Sequence, residues 1–363
     1  MKKYTSKQLI KVYMGIVAIL LVLCAVIIFL ADPFFHYHKP WFGLNAIQDS
    51  KQYQVLGAIE HLEYDSVLLG SSVSLNMNTD ILDEKYECKT IKAVGDSASA
   101  ALLKHYLDEA IKRQQLKYVF YGLDVFSFYT DPELNYIPQE VRYLTNANPA
   151  DDVKYLWNGE ILLQRIPELV KISKAGIYDP GTAYQFNGLK ECGIEAVLRS
   201  YSPDVTTLYY EQKPVNEQQE WVTENLRGIE NNVKENPQTQ FIFFIPPYGI
   251  LWWDCAYRDG MFDTYMNTLN VSMEHLLQYD NVKIYSTDFN KAAVITDFNK
   301  YFDYLHAGTV VTDEMPYEIG DKNEEITSDN YKEEIDKFIS LFEEFENGVR
   351  RDGYAYIYGC PHL

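Results

Sequence analysis

An uncharged apolar run from Val12 to Leu30 constrains this chain before anything else does. At about 1.5 Å rise per residue, such a run as a helix covers roughly the hydrocarbon thickness of a bilayer. Lys2, Lys3, Lys7 and Lys11 precede it and no acid occurs before Asp32, a bias that holds the amino end inside. The expected layout is a cytoplasmic tail over 1–11, a transmembrane helix over 12–31 and an extracytoplasmic remainder held at the cell membrane by a single pass. A cleaved signal peptide is the main rival. Its apolar stretch is usually shorter and ends in a small-x-small site, which Ile28-Phe29-Leu30-Ala31-Asp32-Pro33 offers poorly. Cys24 lies mid-span behind Leu23, where a lipidation site would carry a small residue, and reads as apolar filler.

The remainder is long enough to bury a full core. We expect a juxtamembrane segment over 32–60, a domain over 61–347 with an insertion at about 131–237, and a tail over 348–363. Hydrophobic residues make up 47% and aromatics 15%, which are globular values without low-complexity tracts. The formal net charge of −20 includes the four N-terminal lysines, so the part beyond the helix carries −24. That charge repels polyanions and disfavours nucleic-acid binding. Cys88, Cys192, Cys255 and Cys360 stand at spacings that match neither a zinc site nor a redox pair. No cofactor signature is present, and His36 and His38 beside the membrane read as non-chemical.

Short apolar runs punctuated by glycine or proline mark the strands. Ser66 to Leu69 ends at Gly70-Ser71-Ser72, Thr90 to Val94 at Gly95-Asp96-Ser97, and Tyr118 to Tyr121 at Gly122-Leu123-Asp124. Phe241 to Ile245 stops at Pro246-Pro247, and Val282 to Tyr285 follows. Between them lie helical patterns, clearest at Leu102, Leu103, Tyr106, Leu107, Ala110 and Ile111, over Met261 to Gln278, and in the stripe Tyr331, Ile335, Phe338, Phe342 and Phe345. Asn330 and Glu333 resemble a capping box for that last helix. Strands alternating with helices predict an α/β fold with a three-layer, flavodoxin-like parallel sheet, whose carboxyl strand ends share one edge. Weaker helical pieces occur around Ile161 to Ile172 and Glu217 to Val233.

That edge collects residues suited to ester chemistry, which needs a hydroxyl at an exposed turn, a histidine base, an orienting carboxylate and oxyanion donors. Asp303-Tyr304-Leu305-His306 places a carboxylate three residues before a histidine, in a loop after the last expected strand. Taken together, Gly70-Ser71-Ser72, Gly95, Gly122-Leu123-Asp124 and Asp303-x-x-His306 occur in the order seen in SGNH (GDSL-like) hydrolases. The chain resembles that superfamily from about Ser66 to Phe345, and especially its membrane-anchored members that modify surface polysaccharides, of the DltD type. The resemblance implies Ser72 as nucleophile, His306 as base and Asp303 as its partner. It also implies oxyanion donors in the N–H groups of Ser72 and Gly95. Asp124 stands where the family places an asparagine donor, and an ionised carboxylate cannot donate.

The resemblance further implies a serine esterase or O-acyltransferase acting on ester-linked acyl groups of a cell-surface polysaccharide or acylated envelope polymer, with a membrane-bound O-acyltransferase as partner. The alternative is a non-catalytic glycan-binding or scaffold module on the same fold. Ser71 is the adjacent rival nucleophile, and Ser97, in a literal Gly-Asp-Ser, is the other. Asp96, Asp124 and Asp297 form a low-ranked candidate for an oxygen-rich metal site. Pro246-Pro247-Tyr248, with Trp252 and Trp253, reads either as an aromatic wall or as a rigid loop on the core.

Overall fold

The computed structural model describes residues 5–44, 51–132, 143–144, 148–176, 179–186, 190–202, 219–352 and 356–357. Parts of the expected insertion and of the C-terminal tail, including Cys360, lie outside the described residues. The chain divides into two compact units, one comprising 1–62 with 137–179 and the other 63–136 with 180–363.

The larger unit is built on a six-stranded sheet in the order β2-β1-β3-β4-β5-β6. The strands are β1 (Ser66–Gly70), β2 (Thr90–Val94), β3 (Tyr118–Gly122), β4 (Gln240–Phe244), β5 (Val282–Tyr285) and β6 (Glu325–Ile326). β1 to β5 pair in parallel and β6 closes the edge antiparallel to β5. The parallel part has the 2-1-3-4-5 order of flavodoxin-like sheets, in which the order reverses beside β1 and leaves a crevice at the carboxyl strand ends. The central strands β1, β3 and β4 are near-continuous apolar runs because both faces are covered. On one face Leu68, Phe120, Ile242 and Phe244 join Met77, Leu82, Met315 and Ile319 in one buried cluster. The helices Ala100–Arg113 and Gln219–Glu235 pack on each other, and the first also lies against β1 and β2.

Several helices among the described residues depart from the expected pattern. Lys51–His61 and Thr79–Tyr86 are short, and Ile250–Arg258 replaces the expected rigid loop after Pro246-Pro247. Asn330 does not form the expected cap. Its Oδ1 accepts from Thr327 N–H at 2.7 Å and its Nδ2 donates to Glu325 O at 3.1 Å, so the amide is committed to the segment beside β6.

The smaller unit is organised around the helix Ser6–Ala31, which is long and apolar enough to cross a membrane. It starts at a capping box in which Thr5 and Gln8 satisfy each other's backbone N–H groups. It ends at Asp32, a left-handed residue that is 1% exposed. The Asp32 carboxylate accepts from the N–H groups of His36, Tyr37 and His38 and from the Tyr155 hydroxyl. Ile28, Phe34, Tyr143, Tyr155 and Ile161 pack together around this hub. Of the stretch expected as an insertion, residues 137–179 group with the N-terminal helix and those from 180 onward with the sheet. His36 lies 3.4 Å from Asp152, and the His38 ring is held between the carbonyls of Lys39 and Phe29.

Candidate active site

β1 ends in a turn that the flanking glycines make possible. A Cβ on Gly70 would come 2.4 Å from Ser74 Oγ, and one on Gly122 would come 2.9 Å from the same atom. Ser71 has extended backbone and caps the single 3-10 turn Ser72–Ser74, its Oγ accepting from Val73 N–H at 3.4 Å. Its own N–H donates to Asp124 Oδ2 at 2.8 Å. Ser71 is fully buried and committed to the turn, while Ser72 is the hydroxyl that faces the histidine.

The histidine arrives on a narrow loop. Tyr301 and Ala307 bridge antiparallel, Phe302 N–H bonds to His306 O at 2.9 Å and Gly308 N–H to Lys300 O at 2.7 Å. Asp303 organises the tip, accepting from the N–H groups of Leu305 and His306 and from His306 Nδ1 at 2.8 Å. His306 Nε2 lies 2.9 Å from Ser72 Oγ. Burial works to raise the Asp303 carboxyl, but the hydrogen bond and charge of His306 and the loop N–H groups outweigh it and hold the group well below the ordinary carboxylate range. An ionised Asp303 can only accept, so in the neutral imidazole the proton stands on Nδ1 and Nε2 presents its lone pair to the serine hydroxyl.

Three further residues complete the setting. Asn76, 1% exposed, donates to Ala307 O at 3.0 Å and accepts from Phe186 N–H at 2.8 Å, tying the segment after the serine to the histidine loop. Phe186 meets the His306 ring edge-on at 5.4 Å. Lys190 lies 3.1 Å from Asp303 Oδ2 and 4.4 Å above the Phe186 ring, in a half-exposed position where such a pair adds little energy. A cavity of about 920 Å³ opens beside Asp303, lined by Lys190, Cys192, Arg199 and Phe302 among others.

The expected oxyanion contribution of Gly95 is corrected. Gly95 N–H bonds to Gly70 O at 3.1 Å, continuing the β1–β2 ladder one residue beyond the strands, so it is not free to donate. Asp124 is not a donor either. It is fully buried, with Oδ2 on Ser71 N–H and Oδ1 accepting from the Tyr248 hydroxyl at 2.6 Å. Burial raises its carboxyl to about 6, against the lowering effect of the Tyr248 and Ser71 bonds. Ser72 N–H has no protein acceptor among the described residues.

Ser97 stands on an exposed turn with φ of +45° and makes no hydrogen bond to His306 among the described residues. Among the described residues no three metal-ligating side chains gather. Asp124 is used as above and Asp297 caps Asn299 N–H. Tyr248 and Trp253 are each 1% exposed, so this part of the expected aromatic wall is core. Sequence reasoning missed Asn76, Phe186 and Lys190, for which no local pattern gives a signal. Tyr248 was visible only as part of a proline-aromatic string.

No family model matches the chain, and no curated protein matches it. A solved structure from Streptococcus pneumonia, described as a "putative platelet activating factor", is 12% identical, covering 75% of this chain and 91% of that one at a TM-score of 0.39. A likeness at that level bears on neither fold nor chemistry.

Proposed function

We propose that this chain is a membrane-anchored serine esterase or O-acyltransferase of SGNH type, acting on ester-linked acyl groups of cell-surface glycans or envelope polymers. The observation that carries the chemistry is the hydrogen-bonded series Ser72 Oγ, His306 and Asp303, at 2.9 Å and 2.8 Å. Ser72 Oγ attacks the ester carbonyl while His306 Nε2 takes its proton, and Asp303 stabilises the resulting imidazolium. Collapse of the tetrahedral intermediate breaks the ester C–O bond, the alcohol leaves with the proton from His306, and the acyl group stays on Ser72. Water or a sugar hydroxyl then repeats the sequence in reverse, giving hydrolysis or transfer. Ser72 N–H is the donor at hand for the oxyanion.

The anchor reading is supported by the way Asp32 and Tyr155 lock the end of the N-terminal helix into folded structure, which a cleaved signal segment would not need. Exposure on the outer side follows from the N-terminal lysines, and a membrane-bound acyltransferase would deliver the acyl group. The engaged Gly95 N–H is the observation that favours the second reading, a non-catalytic glycan-binding or scaffold module.

Fluorophosphonate labelling of the full chain, with mass spectrometry of the adduct, tests the proposal. A label on Ser72 that both Ser72→Ala and His306→Ala abolish supports catalysis. A folded chain that takes no label moves the assignment to the binding module.

A further inference from the structure

The Trp157 indole N–H donates to Leu21 O at 2.9 Å, within the smaller unit. Leu21 is not near the end of the N-terminal helix. It lies ten residues before Ala31, or about 15 Å along the axis, and ten after Lys11, again about 15 Å. The hydrocarbon core of a bilayer is about 30 Å thick. For Trp157 to clear it, the helix would have to draw Lys7 and Lys11 into hydrocarbon, where charged side chains are costly, and its capped start at Thr5 with them.

The helix therefore carries other parts of the chain into the membrane. Val153–Leu156 and the turn Ile161–Arg165 pack along its outer half, where Ile28 is buried against Tyr155 and Ile161 and Ala31 against Leu169. Val153, Trp157 and Leu163 leave 50%, 44% and 74% of their surface uncovered at this level. Five charged groups of this segment are paired within it, Asp151 with Lys154 at 3.4 Å, Glu160 with Arg165 at 3.1 Å, and Arg165 with Glu168 at 3.7 Å. Asp152 lies 3.4 Å from His36, and the exposed Lys171 and Lys174 fall in the segment's last two turns. Asn158 Oδ1 accepts from the N–H groups of Glu160 and Ile161 where the next helical stretch begins. Internal satisfaction of polar groups is what a segment in contact with lipid requires.

We propose that residues 149–175 form a second membrane-embedded element, lying in the outer leaflet against the spanning helix, with phospholipid acyl chains covering Val153, Trp157 and Leu163. This rests on reading the N-terminal helix as a membrane anchor. The test uses the full chain in phosphatidylcholine vesicles whose acyl chains carry bromine, a contact quencher of tryptophan. Trp157 is read as the difference between wild type and Trp157→Phe. Leu163→Trp in the Trp157→Phe chain reports the same element without the bond to Leu21, and Leu20→Trp in that chain reports the anchor. Loss of most of the emission at 157, 163 and 20 is expected. Quenching at 20 with none at 157 and 163 overturns the embedded element and leaves the anchor standing. No quenching at 20 overturns the anchor reading, and the inference with it.

Discussion

Replacing Asp124 by asparagine isolates the effect of a buried carboxylate that holds the nucleophile turn. Asparagine keeps the shape and an acceptor for Ser71 N–H, but it does not titrate. In the wild type, burial raises Asp124 from 3.8 to about 6. A displacement of about two pH units corresponds to about 3 kcal/mol, at 1.36 kcal/mol per unit. Because the folded value lies above the unfolded one, this stability is fully present below pH 3.8 and is lost as pH rises through about 6. The wild type should therefore lose about 3 kcal/mol relative to Asp124→Asn between acid and neutral pH. Glu318 and Glu346, both raised to about 8 by burial, titrate in both proteins and cancel in the difference. Urea unfolding followed by tryptophan emission is suited to the measurement, since Trp252 lies 4.5 Å and Trp253 5.6 Å from the Tyr248 ring that bonds Asp124. A difference that stays flat across this range, or that grows in favour of the wild type, would refute the assignment of Asp124 as a carboxylate strained by burial.

Two further outcomes follow from the site. Asp303→Asn removes the charge and, with its oxygen held by the N–H groups of Leu305 and His306, turns an amide donor toward His306 Nδ1, which disfavours the Nδ1–H tautomer; labelling of Ser72 should slow by about three to four orders of magnitude at neutral pH, and a loss under tenfold would show that the loop N–H groups, not the carboxylate, orient the ring. Gly70→Ala places a Cβ 2.4 Å from Ser74 Oγ and should destabilise by about 1–3 kcal/mol. Adding Ser74→Gly should recover part of that loss, and strictly additive losses in the double variant would contradict the close approach.

The parallel strands were legible because they are short, mostly apolar runs, four of the five stopped by glycine or proline, and Thr90–Val94 and Val282–Tyr285 fall where expected. Thr79–Tyr86 was not, because Thr79 and Leu82 are its only fully buried positions and no helical period forms. β6 is two residues long and pairs only through its position beside β5. At the site, Asp303 and His306 could be read together because three residues separate them. Gly95 was recognisable as a glycine after a strand, but the use of its N–H depends on the register of β2 against β1. The bond from Tyr248 to Asp124 joins positions 124 residues apart, and no spacing rule reaches that far.

Ser72 and His306 are separated by 234 residues. Between them the chain must form four parallel crossovers whose loop-closure entropy is met before the long-range contacts reward it. The Ser72 hydroxyl therefore lacks its His306 partner through most of synthesis, when the histidine loop has not yet emerged. On the function proposed above, a chain cut short anywhere before residue 306 presents a hydroxyl with no base, so truncated products should take no fluorophosphonate label at Ser72.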